Sequence, residues 1–394
     1  MRTQQVSLTA VLCLALSLSA LASDTRLNQL PPTTFDQIAK LIAPDGQAND
    51  RFGYSVAIDG STIVVGKGSD VNTAFVYENN SGTVTQVAEL TPSDGMPGDI
   101  FGLAVAISGN TIVISSPHHL NHDPQNYGSI YVYVEPAGGW TNMTETAELN
   151  LAQANSIYNF SSVAISGGTV VATGGEADGA VVWVEPSGGW VSSSKPNAEL
   201  IDTAEGTLGT VAISGNVIVA SSSNAYQFGV TFVYVKPASG WNKIGITETA
   251  RLVGTSGGAQ AAAIAGNTVA AIGNGGVYVF VKPAGGWADV NQTAFLTTTA
   301  YAVSVSGGTI VTGNPYQLVG VNPEQGAAFV FEEPAGGWKN TSTANAELVA
   351  SDGNIQDELG TSVAVSGGTV VAGAPQAEIG TNYEQGAAYV FAQQ

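Results

Sequence analysis

The chain repeats one short pattern seven times, and this repetition limits its fold more than any other feature. Each copy is an apolar triplet followed by a turn, and each ends on a glycine: Gly60, Gly109, Gly167, Gly215, Gly266, Gly307 and Gly367. Consecutive glycines are 41 residues apart at the closest (307 − 266) and 60 at the farthest (367 − 307). Repeats of this length are typical of solenoids, propellers and other arrays, in which each repeat is one unit that stacks on the next.

Each repeat contains four strand signals, which we label A to D. In the second repeat they are residues 105–107, 111–114, 130–134 and 146–149. β-Branched and aromatic residues dominate these segments, and no segment shows the 3.6-residue period of an amphipathic helix. The sequence therefore predicts an all-β chain with four antiparallel strands in each repeat.

The two ends of the repeat region complement each other. The chain ends on a C strand, residues 387–391, and the repeats begin at residues 38–41 with a D strand that has no A, B or C before it. Strand B is apolar on both faces, so each sheet must pack between two others. Strand A carries small alanines, which suit the crowded axis of a ring. We predict a seven-bladed β-propeller of four-stranded antiparallel blades, which the N-terminal strand closes by joining the C-terminal blade.

The first 36 residues do not share the repeat pattern, and they set the domain boundaries. Residues 1–22 have the pattern of a secretory signal peptide, with Arg2, an apolar run at 11–21 and small residues before Ser23. Residues 23–36 are Pro-rich and predict an extended lead-in, and residues 37–394 predict one propeller domain. The protein is therefore expected to be secreted, either extracellular, periplasmic or at the cell surface.

The net negative charge of the chain disfavours some classes of binding partner. It has 31 acidic residues against 11 Lys and Arg, a net charge of −20, which opposes binding to phosphate backbones and anionic lipids. The apolar run at 11–21 is shorter than the roughly 20 residues that span a bilayer. We expect no nucleic acid partner and no membrane insertion, but a monomer that binds an extracellular glycan or protein.

Short motifs flank strands A and B in several repeats. Phe52-Gly53, Phe101-Gly102 and Leu359-Gly360 precede strand A, and Gly373-Ala374-Pro375 follows strand B. These motifs resemble the FG-GAP repeat family, which builds the seven-bladed head of integrin α-subunits and many secreted bacterial propellers. The resemblance covers nearly all of the chain after the signal and implies a secreted propeller that binds ligands or mediates adhesion.

The resemblance can be tested for calcium binding at the turns between strands A and B. Integrin-type repeats place an Asp-rich calcium loop between strands A and B, whereas here those turns are Ser-Gly-Asn or Ser-Gly-Gly, with Asp59 as their one carboxylate. Calcium takes about six to eight oxygen ligands. We therefore expect no integrin-type calcium sites and no cofactor.

Alternating strand direction places the B–C loops and the D–A connections on one face of the ring, which we call the B–C face. The B–C loops differ greatly between repeats, as a binding site requires, and those of blades 2, 6 and 7 are the longest. Several carry Tyr beside amides, which suits stacking on a sugar or anchoring a protein. The predicted ligand-binding residues are Tyr127, Tyr226, Tyr316, Tyr383, Asn126 and Asn382. The alternative is that each ring packs the base of its own loop.

All three histidines of the chain lie in one B–C loop, as His118, His119 and His122, with Asp123 adjacent. Imidazole and carboxylate suit zinc, copper or nickel. The cluster predicts a transition-metal site, and the alternative is a solvated polar loop.

The sequence favours a non-enzymatic binding or adhesion propeller and identifies no catalytic residue. Two alternatives stay open. A carbohydrate-active enzyme, either a polysaccharide lyase or a glycoside hydrolase, would need two converging carboxylates. A structural component of a surface layer or appendage would need ordered assembly of the chain.

Overall fold

The computed structural model describes residues 34–69, 72–120, 127–151, 160–173, 179–203, 207–222, 229–255 and 257–394. These residues form 31 β-strands in seven separate sheets. Nowhere among them is there a helix with the length and apolarity to cross a bilayer. The all-β, seven-bladed architecture predicted from the repeats is confirmed.

The first strand, β1 (Phe35–Leu41), belongs to the last blade, so the blades are numbered from the sheet that follows it. Blade 1 contains β2 (Phe52–Asp59), β3 (Thr62–Lys67), β4 (Ala74–Asn80) and β5 (Thr83–Thr91). Blade 2 contains β6 (Val105–Ser108), β7 (Thr111–Leu120), β8 (Tyr127–Val134) and β10 (Ala147–Leu149). The short β9 (Met143–Thr144) precedes β10 in the chain but joins the sheet of blade 1. Blade 3 contains β11 (Ser162–Ser166), β12 (Thr169–Thr173), β13 (Gly179–Val184) and β14 (Ala198–Ile201).

The remaining blades follow the same order of strands A to D. Blade 4 contains β15 (Thr210–Ser214), β16 (Val217–Ser222), β17 (Val230–Val235) and β19 (Ala250–Val253). Blade 5 contains β20 (Ala262–Ala265), β21 (Thr268–Gly273), β22 (Gly276–Val281) and β24 (Ala294–Thr297). The short strands β18 (Ile246–Thr247) and β23 (Val290–Asn291) join the sheets of blades 3 and 4, respectively. Blade 6 contains β25 (Ala302–Ser306), β26 (Thr309–Asn314), β27 (Ala327–Glu332) and β28 (Ala346–Leu348). Blade 7 contains β29 (Ser362–Ser366), β30 (Thr369–Ala374) and β31 (Ala387–Gln393), and β1 completes it.

The ring is closed by pairing between the two ends of the chain. β1 runs antiparallel to β31, with Leu41 opposite Ala388 and Phe35 opposite Gln393, and one bulge lies at Ile38. The predicted closure is therefore confirmed. Because β1 supplies the outer strand of blade 7, that blade has a strand at each of the positions A to D, as the other six blades do.

The hydrophobic core consists of seven clusters, one at each interface between neighbouring blades. Between blades 1 and 2, the small Ala57 of one strand A meets Val105 and Ile107 of the next. This pairing of a small with a large side chain lets the strands approach closely at the axis. A central channel of about 310 Å³ remains there, lined by strand A of all seven blades.

The Phe52-Gly53 motif attaches blade 1 to blade 7. Phe52 is fully buried and meets Phe75 edge-on, with ring centroids 5.6 Å apart. Gly53 has a φ of +89°, and its carbonyl oxygen accepts a hydrogen bond of 2.8 Å from the Ser362 hydroxyl of blade 7. Glycine is required here because an added Cβ would meet the carbonyl oxygen of Ala387.

Five tryptophans close the outer ends of blade interfaces, and the chain after each one caps the neighbouring blade. The buried rings are Trp140, Trp190, Trp241, Trp287 and Trp338. After Trp140, β9 pairs in parallel with β5, the D strand of blade 1. Corresponding segments pair with the D strands of blades 2 to 5. The sequence patterns did not indicate these caps, which cover the edge strands of five blades and so protect them from pairing with other chains.

Candidate functional site

The B–C loops of blades 6 and 7, residues 315–326 and 375–386, fold as small hairpins on the B–C face. In blade 6, Val319 and Asn322 exchange both backbone hydrogen bonds, at 3.0 and 3.2 Å. Gly320, with a φ of +60°, takes the first position of the two-residue turn, where a type II′ turn needs positive φ. The corresponding pair in blade 7 is Ile379 and Asn382. Both loops therefore present a turn of fixed shape.

The side chain of Asn382, a predicted ligand-binding residue, anchors its own loop. Its amide nitrogen donates to the carbonyl oxygen of Gly46 at 3.0 Å and to Oε1 of Gln385 at 2.8 Å. Gln385 in turn donates to the carbonyl oxygen of Ala43 at 3.3 Å. Asn322 of blade 6 makes the corresponding pair of bonds. These contacts attach each loop to the D–A connection that enters the next blade.

Two of the predicted tyrosines have described side chains, and both are exposed. The Tyr316 ring meets the ring of Tyr301 edge-on, with centroids 5.0 Å apart. Tyr383 lies in the blade 7 loop, and its hydroxyl is hydrogen-bonded to Glu384, which raises the pKa of Tyr383. The other predicted residues have side chains outside the described part of the chain: Tyr127, Tyr226 and Asn126.

Exposed apolar side chains surround the blade 6 loop. Val321, at the tip of the turn, has 89% of its surface exposed. The backbone N–H of Gln356 donates to the carbonyl oxygen of Pro323 at 3.1 Å, which brings the D–A connection 349–361 against this loop. We call the set the blade 6 apolar patch: Tyr301, Tyr316, Leu318, Val321 and Ile355.

The equivalent loop of blade 7 is polar where the blade 6 loop is apolar. Sixty residues further along the chain, the positions of Tyr316, Leu318 and Val321 hold Gln376, Glu378 and Thr381. The two loops share their backbone fold and their Asn-Gln anchors, so the fold does not require apolar side chains here. This difference is visible in the sequence when the two loops are aligned residue by residue.

An ion pair ties the blade 7 loop to the connection that enters blade 1. Both Nε and Nη2 of Arg51 donate to Oε2 of Glu384, at 3.0 and 2.9 Å. Hydrogen bonds from Tyr383 and Arg51 hold the pKa of Glu384 below its ordinary value, against a smaller effect of burial. Burial raises the pKa of Glu358, and the charges of Glu324 and Glu384 add to that rise. Carboxyl groups with opposite pKa shifts can act as acid and base.

The two described histidines of the predicted metal loop point to opposite sides of β7. His118 is exposed, whereas His119 is buried and its Nδ1 lies 2.8 Å from Oδ2 of Asp99. Neighbouring side chains on a strand project to opposite faces, so these two imidazoles do not face a common point. The other two members of the predicted set lie outside the described residues: His122 and Asp123.

Three D–A connections share an acidic loop, in which the second Asp accepts a backbone N–H three residues before it. The bonds have lengths of 2.9, 2.7 and 2.7 Å and lead to Asp50, Asp99 and Asp357, respectively. The first Asp of each loop precedes a glycine in a turn, as the sequence indicates: Asp45, Asp94 and Asp352. These loops precede blades 1, 2 and 7.

Two carboxylates of the loop before blade 7, those of Asp352 and Asp357, should contribute to stability with opposite signs. Burial raises the pKa of Asp357, and Asp352 and Glu378 reinforce that rise. For Asp352, hydrogen bonds from Lys40 and Tyr389 outweigh burial and lower the pKa. At pH 7 the ionised Asp357 therefore subtracts from stability, whereas Asp352 adds to it. Asp357→Asn should raise the melting temperature at pH 7, and Asp352→Asn should lower it.

Both differences should shrink as the pH falls. The gain from Asp357→Asn should fade once the pH drops through the raised folded-state pKa and vanish below the unfolded value of about 3.9. The loss from Asp352→Asn should be full above about 3.9 and disappear as the pH falls through the lowered folded-state pKa. Thermal unfolding of both variants from pH 3 to 7 measures this, and differences of the same sign at pH 7 would contradict the assignment.

The geometry defines a seven-bladed β-propeller with a varied loop face and a closed ring. Comparison with protein families identifies FG-GAP repeats in three places of the chain, at residues 35–84, 84–133 and 343–391. These segments contain the Phe52-Gly53, Phe101-Gly102 and Leu359-Gly360 motifs. FG-GAP repeats are typical of extracellular or cell-surface proteins. No curated protein sequence matches the chain.

Proposed function

We propose that the protein is a secreted, non-enzymatic propeller that binds an extracellular ligand through the B–C face of blade 6. The observation that carries this proposal is the blade 6 apolar patch, which the equivalent loop of blade 7 lacks. Exposed apolar patches rimmed by polar groups mark binding sites. The pattern of residues 1–22 and the FG-GAP repeats support secretion and a binding or adhesion role.

The composition of the patch favours a protein ligand over a glycan. Leu318, Val321 and Ile355 are aliphatic, whereas sugar recognition depends on flat aromatic faces. The two tyrosine rings meet edge-on, so they do not form one flat stacking platform. Tyr is a common anchor at protein interfaces, together with apolar neighbours that exclude water.

The test measures binding of residues 23–394 to arrays of extracellular proteins and of glycans. The variant Leu318→Glu with Val321→Thr gives blade 6 the residues that blade 7 carries at these positions. We expect it to fold normally and to bind the ligand at least tenfold more weakly, since central interface residues each contribute about 1–2 kcal/mol or more. A matched control is Val191→Thr, at an exposed apolar residue that follows Trp190.

Three outcomes separate the possibilities. Loss of binding in the double variant but not in the control supports the blade 6 site. Equal binding by both variants would place the ligand elsewhere, and silence of the wild type on both arrays would contradict a binding role.

A carbohydrate-active enzyme is the second candidate, and two carboxyl groups of the B–C face favour it. Glu358 is half-buried and within reach of the charge of Glu384, whose carboxylate is held by Arg51 at 2.9 Å. An acid and base pair of this kind should release reducing or unsaturated sugars from a polysaccharide. Glu358→Gln should abolish that release if it occurs. No release from a broad polysaccharide panel would remove this candidate.

A further inference from the structure

We propose that blade 2 holds a zinc-class divalent cation between Asp94, His119 and Glu148. This site is separate from the proposed ligand site, and the same pocket occurs in blades 1, 2 and 7. Each pocket contains the acidic loop that enters the blade, the end of strand B, and strands C and D. The three pockets differ in the group that balances the acidic loop.

In blade 7 the balancing group is an amine on strand D. Lys40 Nζ lies 2.6 Å from Oδ2 of Asp352 and 5.5 Å from the centre of the Tyr389 ring. The Tyr389 hydroxyl donates to the other oxygen of Asp352 at 3.0 Å. This pocket therefore contains its own fixed positive charge.

In blade 1 the balancing group is an amine on strand B. Lys67 Nζ lies 2.9 Å from Oδ2 of Asp50 and 3.8 Å from Oδ1 of Asp45. Its side chain is almost completely buried, since only 1% of its surface is exposed. A fixed ammonium again occupies the space between the two carboxylates of the loop.

In blade 2 neither amine is present. Glu148 takes the position on strand D that Lys40 holds in blade 7, and it pairs with Tyr131 as Lys40 pairs with Tyr389. Ser116 takes the position of Lys67, 49 residues along the chain. Blade 1 also has a glutamate, Glu89, at this strand D position, but it has Lys67 as well, whereas the pocket of blade 2 has a third carboxylate and only His119 as its basic group among the described residues. Even a protonated imidazole would leave two of the three negative charges without a balancing charge among the described residues, which is costly in a partly buried site.

The side chains of this pocket are arranged as metal ligands. One atom each of Asp94, His119 and Glu148 lies within 4.8 Å of the others. Nε2 of His119 is 3.4 Å from Oδ2 of Asp94, the separation of two ligands on a tetrahedral zinc with bonds of about 2.0–2.1 Å. One imidazole with two carboxylates suits zinc better than calcium, which takes six to eight oxygens.

Hydrogen bonds from neighbouring side chains fix the positions of the three candidate ligands. Nδ1 of His119 lies 2.8 Å from the buried carboxylate of Asp99, the usual carboxylate partner of a metal-bound histidine. The Ser129 hydroxyl donates to Oε1 of Glu148 at 2.6 Å, and the Tyr131 hydroxyl donates to Oδ1 of Asp94 at 2.8 Å. A cation here would connect the D–A loop to strands B and D of blade 2.

Calorimetric titration of metal-stripped residues 23–394 with ZnCl₂ tests the proposal, together with the nitrogen resonances of ¹⁵N-labelled histidine. We expect one zinc per chain, a large shift of Nε2 of His119, and at least tenfold weaker binding in Glu148→Gln. Two controls should bind as the wild type does. They are Glu89→Gln, at the same strand D position in blade 1, and His118→Ala with His122→Ala.

The variant Glu148→Lys supplies the amine of blade 7 in place of the metal. It should raise the melting temperature of the metal-free protein and abolish the further rise that zinc causes in the wild type. The proposal would be overturned by wild-type protein that binds no zinc, by equal binding in Glu148→Gln, or by binding that requires His118 and His122 instead.

Discussion

A chain that begins at Ile42, without β1, is expected to lose most of its stability. β1 pairs with β31 over its whole length and buries Leu41, with Phe35, Ile38 and Ala39 packed against the core clusters of blade 7 and its neighbours. Fully burying a large apolar side chain contributes about 1.5–3 kcal/mol; Leu41 is buried, and Phe35 and Ile38 are half-buried. Their loss, together with exposure of the β31 edge, should therefore remove a large part of the free energy of unfolding of a typical domain, about 5–15 kcal/mol.

Thermal unfolding measures this effect, and the melting temperature should fall by about 10 °C or more if the chain folds at all. The matched control begins at Thr34 and keeps β1 intact. It should melt as the chain beginning at Ser23 does. An unchanged melting temperature in the shorter chain would contradict closure of the ring by β1.

The second large effect is expected at Lys67, because the salt bridge between Lys67 and Asp50 is almost completely buried. Only 1% of the Lys67 side chain and 4% of the Asp50 side chain are exposed, and the charged atoms are 2.9 Å apart. Lys67→Met leaves the carboxylate buried without its counter-charge. Breaking a buried pair in this way costs about 3–5 kcal/mol, which urea denaturation at pH 7 can measure.

Two further variants give this prediction its controls. Lys40→Met removes an amine from an ion pair whose side chains are 30% and 49% exposed, so it should cost at most about 1 kcal/mol. Asp50→Asn combined with Lys67→Met removes both charges and should recover part of the stability lost by Lys67→Met alone. Equal losses for Lys40→Met and Lys67→Met would show that burial does not decide the cost.

The fold could be predicted from the sequence because the repeat and the chain ends carry independent information. Repetition of the strand A pattern gives the number of blades, and the unpaired D strand at 38–41 shows how the ring closes. The capping segments, such as β9, could not be predicted in this way. A strand of two residues has no periodicity, and its partner lies in a different repeat.

The candidate site was predicted less completely, because sequence motifs do not show where a side chain points. His118 and His119 are adjacent in sequence, yet one is exposed and the other buried. Asn382 looked available for a ligand, but its amide holds the loop to the next D–A connection. The Asn-x-Glu-Gln-Gly pattern, common to the blade 6 and blade 7 loops, was the signal that this amide belongs to the loop fold.

Both proposed sites lie where equivalent positions of the repeats carry different side chains. Features shared by equivalent loops proved structural, such as the anchors at Asn322 and Asn382. The loops of blades 6 and 7 share one backbone fold but carry different side chains at the positions of Tyr316, Leu318 and Val321. This difference identifies the blade 6 apolar patch. Blade 2 lacks both of the lysines that balance this pocket in blades 1 and 7 and has His119 instead, and this difference marks the proposed cation site.

Hydrogen exchange of the native protein tests ring closure, the central claim, most directly. Amides of β1 that pair with β31 should exchange only when the whole protein unfolds, because opening this strand breaks the ring. Their opening free energy should therefore equal that of the central strands β3 and β30. Rapid exchange along β1, while β3 and β30 stay protected, would show that the N-terminal strand is not part of a closed ring.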